Sequence, residues 1–178
     1  VTLIEAVLAS VITAIALTTA LGTYMIGMMA WYRGEGNITA ESGSHAAVTI
    51  ISNELRQAEG VVVDPNGMGL TYELPAMDDT GTMIAPMQAD GIQRRIELDG
   101  TTLNMWVNGA QRTLCTNVVL TDPNANGAGY QIFTAGAGAT VRQVTVLVVT
   151  QAGSYGSETV TSRNRETIFL RNVPQMNP

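Results

Sequence analysis

Apolar and polar positions divide the chain into three stretches. From Ala6 to Tyr32 there is no Asp, Glu, Lys or Arg, and most positions are Ala, Val, Leu, Ile, Met, Thr or Gly. At about 1.5 Å per residue, a helix of that length spans a bilayer core of about 30 Å. Its apolar residues run all round, and small residues such as Ala9, Ser10, Thr13, Ala14 and Ala16 permit close helix approach. Glycines at Gly22, Gly27, Gly34, Gly36 and Gly43 weaken a helix by up to about 1 kcal/mol each, which predicts a break near Gly22 or Gly34. From Ser44 to Ala58 the pattern becomes amphipathic. Val48, Ile51, Leu55 and Ala58 fall on one stripe, with Asn53, Glu54 and Gln57 off it and Gly60 as the expected C-cap.

From Val61 onward the pattern is one of short strands and turns. Val61 to Val63 leads into the turn Asp64-Pro65-Asn66-Gly67, and Leu70 to Leu74 alternates as a strand. Pro75 to Asp90 is a polar, Met-bearing loop. Ile92 to Leu98, Leu103 to Val107 and Gln111 to Cys115 form a meander turned at Asp99-Gly100 and Asn108-Gly109, dipeptides that tolerate positive φ. Further strands are expected at Asn117 to Thr121, Tyr130 to Thr134, Val141 to Thr150 and Thr167 to Asn172. The predicted class is α+β: a long, partly broken apolar helix whose second half packs on an antiparallel sheet. Its units are 1–33 (apolar helix), 34–60 (second helical half) and 61–178 (β domain).

A secretory signal peptide would begin with positive charge, whereas here Arg33 follows the apolar run, so the segment reads as retained. One acid, Glu5, stands almost at its start. An ionised carboxylate in hydrocarbon costs at least about 2.5–3.5 kcal/mol and calls for a named partner. The amine of Val1, from the same chain or a neighbouring copy, supplies one, and the helix dipole favours the carboxylate. Tyr24, Trp31 and Tyr32 suit a membrane boundary.

Composition narrows the chemistry. The 178 residues leave room for one ordinary globular domain beyond the helix. All nine basic residues are Arg, and the net charge of −6 argues against a nucleic-acid surface. The single Cys115 reads as a buried apolar group, because the only histidine, His45, lies elsewhere in the sequence. Asp122, Asn124 and Asn126 match the first half of a calcium loop, but Phe133 stands where a bidentate acid is needed, which favours an Asx turn. Asn37-Ile38-Thr39, with Glu35 before it, is an acceptor triplet for N-linked glycan. Arg163, Arg165 and Arg171 read as solvated residues. No nucleophile, carboxylate pair or phosphate loop appears with supporting context, so no enzymatic activity or cofactor is expected; calcium and glycans are the only additions the motifs suggest.

Thr2-Leu3-Ile4-Glu5 followed by an uncharged apolar helix resembles the mature N-terminus of type IV pilins and the related type II secretion pseudopilins. Val1 replaces the usual aromatic first residue, and the C-terminal disulfide of many pilins has no counterpart. The resemblance implies a pilin fold, cleavage by a prepilin peptidase before Val1, N-methylation of Val1, and docking in which Glu5 meets the first residue of a neighbour. It also implies an assembly platform in the inner membrane and, after assembly, a helical filament of identical subunits outside the cell, serving adhesion, motility or uptake. Within the family the alternative is a minor pilin or a secretion pseudopilin. Outside it stands a membrane-anchored β-domain that binds a partner without polymerising.

Overall fold

The computed structural model describes residues 2–84, 88–122, 127–137, 141–153, 156 and 158–171. One helix, α1 (Leu3–Gln57), is followed by β1 (Gly60–Val63), β2 (Gly69–Glu73), β3 (Arg94–Asp99), β4 (Thr102–Val107), β5 (Ala110–Cys115), β6 (Thr121–Asp122), β7 (Ala128–Gly129), β8 (Phe133–Ala135), β9 (Gln143–Gly153) and β10 (Thr159–Phe169). The architecture is a long N-terminal apolar helix packed on antiparallel sheets, an α+β arrangement. Strands β1 to β5 form one five-stranded sheet in chain order, β10-β9-β8 a second of three, and β6 with β7 a short ladder.

The amphipathic stripe lies where the pattern put it. Val48, Ile51, Leu55 and Ala58 are buried, and they join Leu70, Tyr72, Ile96, Leu103, Phe133, Val144, Val146 and Ile168 in one core. The helix thus closes over the inner faces of both main sheets. Tyr72 is buried beneath it and donates its hydroxyl to Glu54 Oε2 at 3.1 Å. Burial and the Glu54 carboxylate push the phenol pKa up, so this donor stays protonated.

Several local expectations need correction, among them the strand at Asn117 to Thr121, where only an isolated Val118–Thr150 bridge forms before β6 begins at Thr121. The helix does not break: it runs uninterrupted through Gly22, Gly27, Gly34, Gly36 and Gly43. Gly36 serves close approach instead, since a Cβ there would stand 2.9 Å from the Gly153 carbonyl oxygen, whereas Gly34 has open space around it. Around this point the helix is tied down by Arg33, whose guanidinium meets Glu158 at 2.7 Å, and by Thr150, whose hydroxyl donates to the Ala40 carbonyl at 2.6 Å. Packing therefore outweighs the glycine penalty. Gly34→Ala is expected to stabilise the fold by about 0.5–1 kcal/mol and Gly36→Ala to destabilise it by about 1–3 kcal/mol, compared by denaturant midpoints in detergent. Equal effects would contradict the close-approach reading.

Gly60 does not cap the helix. Ala58 takes that place in extended backbone (φ −65°, ψ 140°), its N–H bonding the Leu55 carbonyl, and Gly60 opens β1. The first meander turn is shifted by one residue: Asp99 pairs with Thr102, leaving Gly100-Thr101 as the loop. The second lies at Asn108-Gly109 as expected, both residues with positive φ (49° and 80°).

The last strand begins eight residues earlier than its hydrophobic pattern indicates, at Thr159, and pairs with β9 along its whole length to Phe169. Its inward positions include Ser162 and Glu166, and the helix answers with polar groups. Ser44 lies 3.4 Å from Ser162, while Ser52 and Arg56 donate to Glu166 Oε1 at 2.8 and 2.9 Å. A polar seam of this kind leaves no hydrophobic alternation to read.

On the five-stranded sheet, Arg94 is 8% exposed and grips both Asp90 oxygens, at 2.9 and 2.6 Å. The Arg94 guanidinium holds the Asp90 carboxyl below the usual carboxylate range. A depressed folded pKa means that the pair's stabilisation is present above about pH 4 and is lost as pH falls through the lowered value. Asp90→Asn should cost about 2–3 kcal/mol at pH 7, with the gap from wild type closing in urea titrations carried below pH 4. A gap that is independent of pH would exclude the ionic contribution.

Candidate functional site

The tip of α1 is organised by a reciprocal cap. Thr2 is the N-cap in extended backbone (φ −78°, ψ 153°); its hydroxyl accepts the Glu5 N–H at 3.4 Å, and Glu5 Oε2 accepts the Thr2 N–H at 2.9 Å. The spacing Thr-x-x-Glu is a capping-box signature, legible in the sequence and overlooked there in favour of the amine partner. Both residues are exposed, and Val1 lies outside the described residues. A carboxylate offers about four acceptor positions, so one bond to Thr2 leaves Glu5 able to receive a further donor while held at the positive end of the helix dipole.

Behind the tip, every residue from Leu3 to Gly27 is exposed. This stem is roughly 40 Å of helix at about 1.5 Å per residue, and it makes α1 the one helix among the described residues long and apolar enough to cross a membrane. Its Ser and Thr hydroxyls bond back onto the helix backbone. Ser10 donates to the Val7 carbonyl at 2.8 Å, Thr13 to Ala9 at 2.8 Å, Thr18 to Ala14 at 2.6 Å, Thr19 to Ile15 at 2.8 Å and Thr23 to Thr19 at 3.0 Å. Each hydroxyl proton is satisfied within the helix, which lowers the cost of placing Ser and Thr in hydrocarbon or between packed helices. Hydropathy alone did not disclose this. Tyr24, Trp31 and Tyr32 lie exposed where the free stem gives way to the packed half.

The remaining candidates are scattered. Asn37 is exposed, but its triplet lies inside α1, where the backbone is committed to helical hydrogen bonds. Asn124 and Asn126 lie outside the described residues, as does the loop between Asp122 and Gly127; no group of three or more His, Cys, Asp or Glu suited to a metal occurs among the described residues. Cys115 is 6% exposed and unpaired with another cysteine, and burial pushes its thiol up to about 11. His45 stands exposed on the helix, its Nδ1 3.4 Å from the Thr49 hydroxyl. Cys115 should resist maleimide in the native protein and react within minutes in denaturant; fast native labelling would contradict its burial. Arg163, Arg165 and Arg171 are exposed along and just beyond β10.

No family model, curated protein or solved structure matches the chain.

Proposed function

We propose that this chain is a structural subunit that polymerises through its N-terminal helix into a helical, type IV pilus-like filament. The observation that carries the reading is the contrast along one continuous helix. Its C-terminal half is buried against the sheets, and its N-terminal stem is apolar and wholly exposed. Such a surface is stable in a lipid bilayer or among other helices of its kind, and not in water. In this reading the subunit waits in the inner membrane and then leaves it as stems from successive copies pack into a core. The sheet domains form the outer wall, and burial of the stems supplies most of the cohesion. Glu5 sets the axial register by meeting the Val1 amine of a neighbour. A prepilin peptidase and an inner-membrane platform are the partners this requires.

The Thr2–Glu5 cap favours a second reading, because it gives Glu5 a local role that needs no neighbour. In that case the helix is a plain anchor for a non-polymerising β-domain. Mass spectrometry and electron microscopy of sheared surface material separate the two. Abundant chain in filaments, starting at N-methylated Val1, is the expected result; because the chain has no Lys, that amine is its only primary amine. A trace amount would indicate a minor or secretion-system subunit. Absence from the sheared fraction, with an unmethylated start in membranes, would overturn the filament reading.

A further inference from the structure

Two surfaces beyond the helix tip are complementary in charge, one bearing an exposed aromatic ring and the other a partly apolar cleft. The first is centred on Phe169, which is 66% exposed on the outward face of β10. Arg165 and Arg171 lie on the same side of the chain, exposed and without an ion pair among the described residues. The second is a cleft of about 330 Å³ whose apolar wall is Leu74, Pro75, Met77 and Met83, with Gln57 and the mutually paired Asp90 and Arg94 completing it. Met77 and Met83 are joined by an isolated antiparallel backbone bridge and are 54% and 44% exposed. Asp78 and Asp79 follow Met77 directly in the chain and are exposed, in the turn that joins Met77 to Met83. Asp78 Oδ1 accepts the N–H groups of both Thr80 and Thr82 at 2.9 Å, so the turn is formed before anything docks.

The fold sets the two surfaces apart. Near the end of α1, Arg56 bonds Glu166 of β10 and Glu54 receives the hydroxyl of Tyr72 of β2. Residues two apart on a helix point roughly 200° from each other, so β10 and the β2 sheet flank the helix on opposite sides. Gln57, one residue after Arg56, lines the cleft. Ring and cleft therefore belong to elements that flank the same end of the helix on different sides. A contact between them joins two copies head to tail, and such a contact need not close.

We propose that Phe169 of one copy enters the Met77–Met83 cleft of a second copy, with Arg165 and Arg171 meeting Asp78 and Asp79 in the turn. As a lateral contact in a filament this rests on the function proposed above. The contact itself does not depend on it. An apolar anchor ringed by complementary charge supplies both the affinity and the register of such an interface.

The test uses the full chain with Cys115→Ala, carrying Thr167→Cys beside Phe169 and Met83→Cys in the cleft wall, treated with a short bismaleimide in membranes and in sheared material. The double variant should give a ladder of covalent multimers that neither single variant gives, and adding Phe169→Ala should lower the ladder at least tenfold. In a second series, Arg165→Glu should lower assembly about tenfold and Asp79→Arg in the same chain should restore it. Filaments without a ladder would overturn the docking contact and leave the filament reading standing. A ladder in membranes without filaments would uphold the contact and overturn the filament reading; neither ladder nor filaments would overturn both.

Discussion

Glu5→Gln is expected to insert in the membrane as the wild type does and to yield almost no filaments. The substitution is informative because Gln preserves the capping box with Thr2, whereas Ala destroys it. What Gln removes is the charge. Leaving one partner of a desolvated, hydrogen-bonded charge pair alone costs about 2–5 kcal/mol, a loss in association constant of about 30-fold to several thousandfold at each joint of the polymer. Both Glu5→Gln and Glu5→Ala should therefore fail to polymerise. Glu5→Ala should in addition fray the first turn, costing about 1 kcal/mol of helix stability at the tip. Quantifying the chain in membranes and in sheared filaments for all three proteins decides the matter. Wild-type filament yield from Glu5→Gln would mean that Glu5 acts only as a cap, and the anchor reading would then be preferred.

The second large effect is on the fold. Leu55 is fully buried in the last turns of α1, on the same stripe as Val48, Ile51 and Ala58, and it packs into the core shared by both main sheets. Leu55→Ala removes apolar surface and leaves a cavity at the seam, and this type of change costs about 2–5 kcal/mol. Domains of this size are held by about 5–15 kcal/mol in total, so the loss is a sizeable share. The solvent-facing Asn53→Ala, two residues away, should change stability by no more than about 0.5 kcal/mol. Denaturant midpoints of the detergent-solubilised chain measure the difference. Equal midpoints for the two variants would show that the helix is not held through this stripe.

These effects differ in how far they could be foreseen. The stripe of Val48, Ile51, Leu55 and Ala58 is spaced at the helical period and was visible at once, and the Asn108-Gly109 hairpin followed from backbone preference at two adjacent residues. The continuity of α1 was not visible. Gly34, Gly36 and Gly43 pointed locally to a break, and the helix persists because Gly36 lies against Gly153 and Arg33 and Ala40 are anchored to residues more than a hundred positions away. The start of β10 was hidden for a related reason: Ser162 and Glu166 face Ser44, Ser52 and Arg56, and a seam of matched polar groups carries no hydrophobic period.

At the candidate site the same division holds. Glu5 stood out in the sequence because a carboxylate beside a long uncharged run is costly, and the run was legible because it needs only composition and length. The bonding of the Ser10, Thr13, Thr18, Thr19 and Thr23 hydroxyls back onto the helix backbone needed three-dimensional detail. So did the meeting of Leu74 and Pro75 with Met77 and Met83 in one cleft, and the placing of Phe169 on a different flank of the helix. Local preference acts through neighbours within a few residues, so one chain is enough to read the stem, the stripe and the tight turns. Which distant residues meet depends on the closing of the whole core, and that is a property of the folded molecule alone.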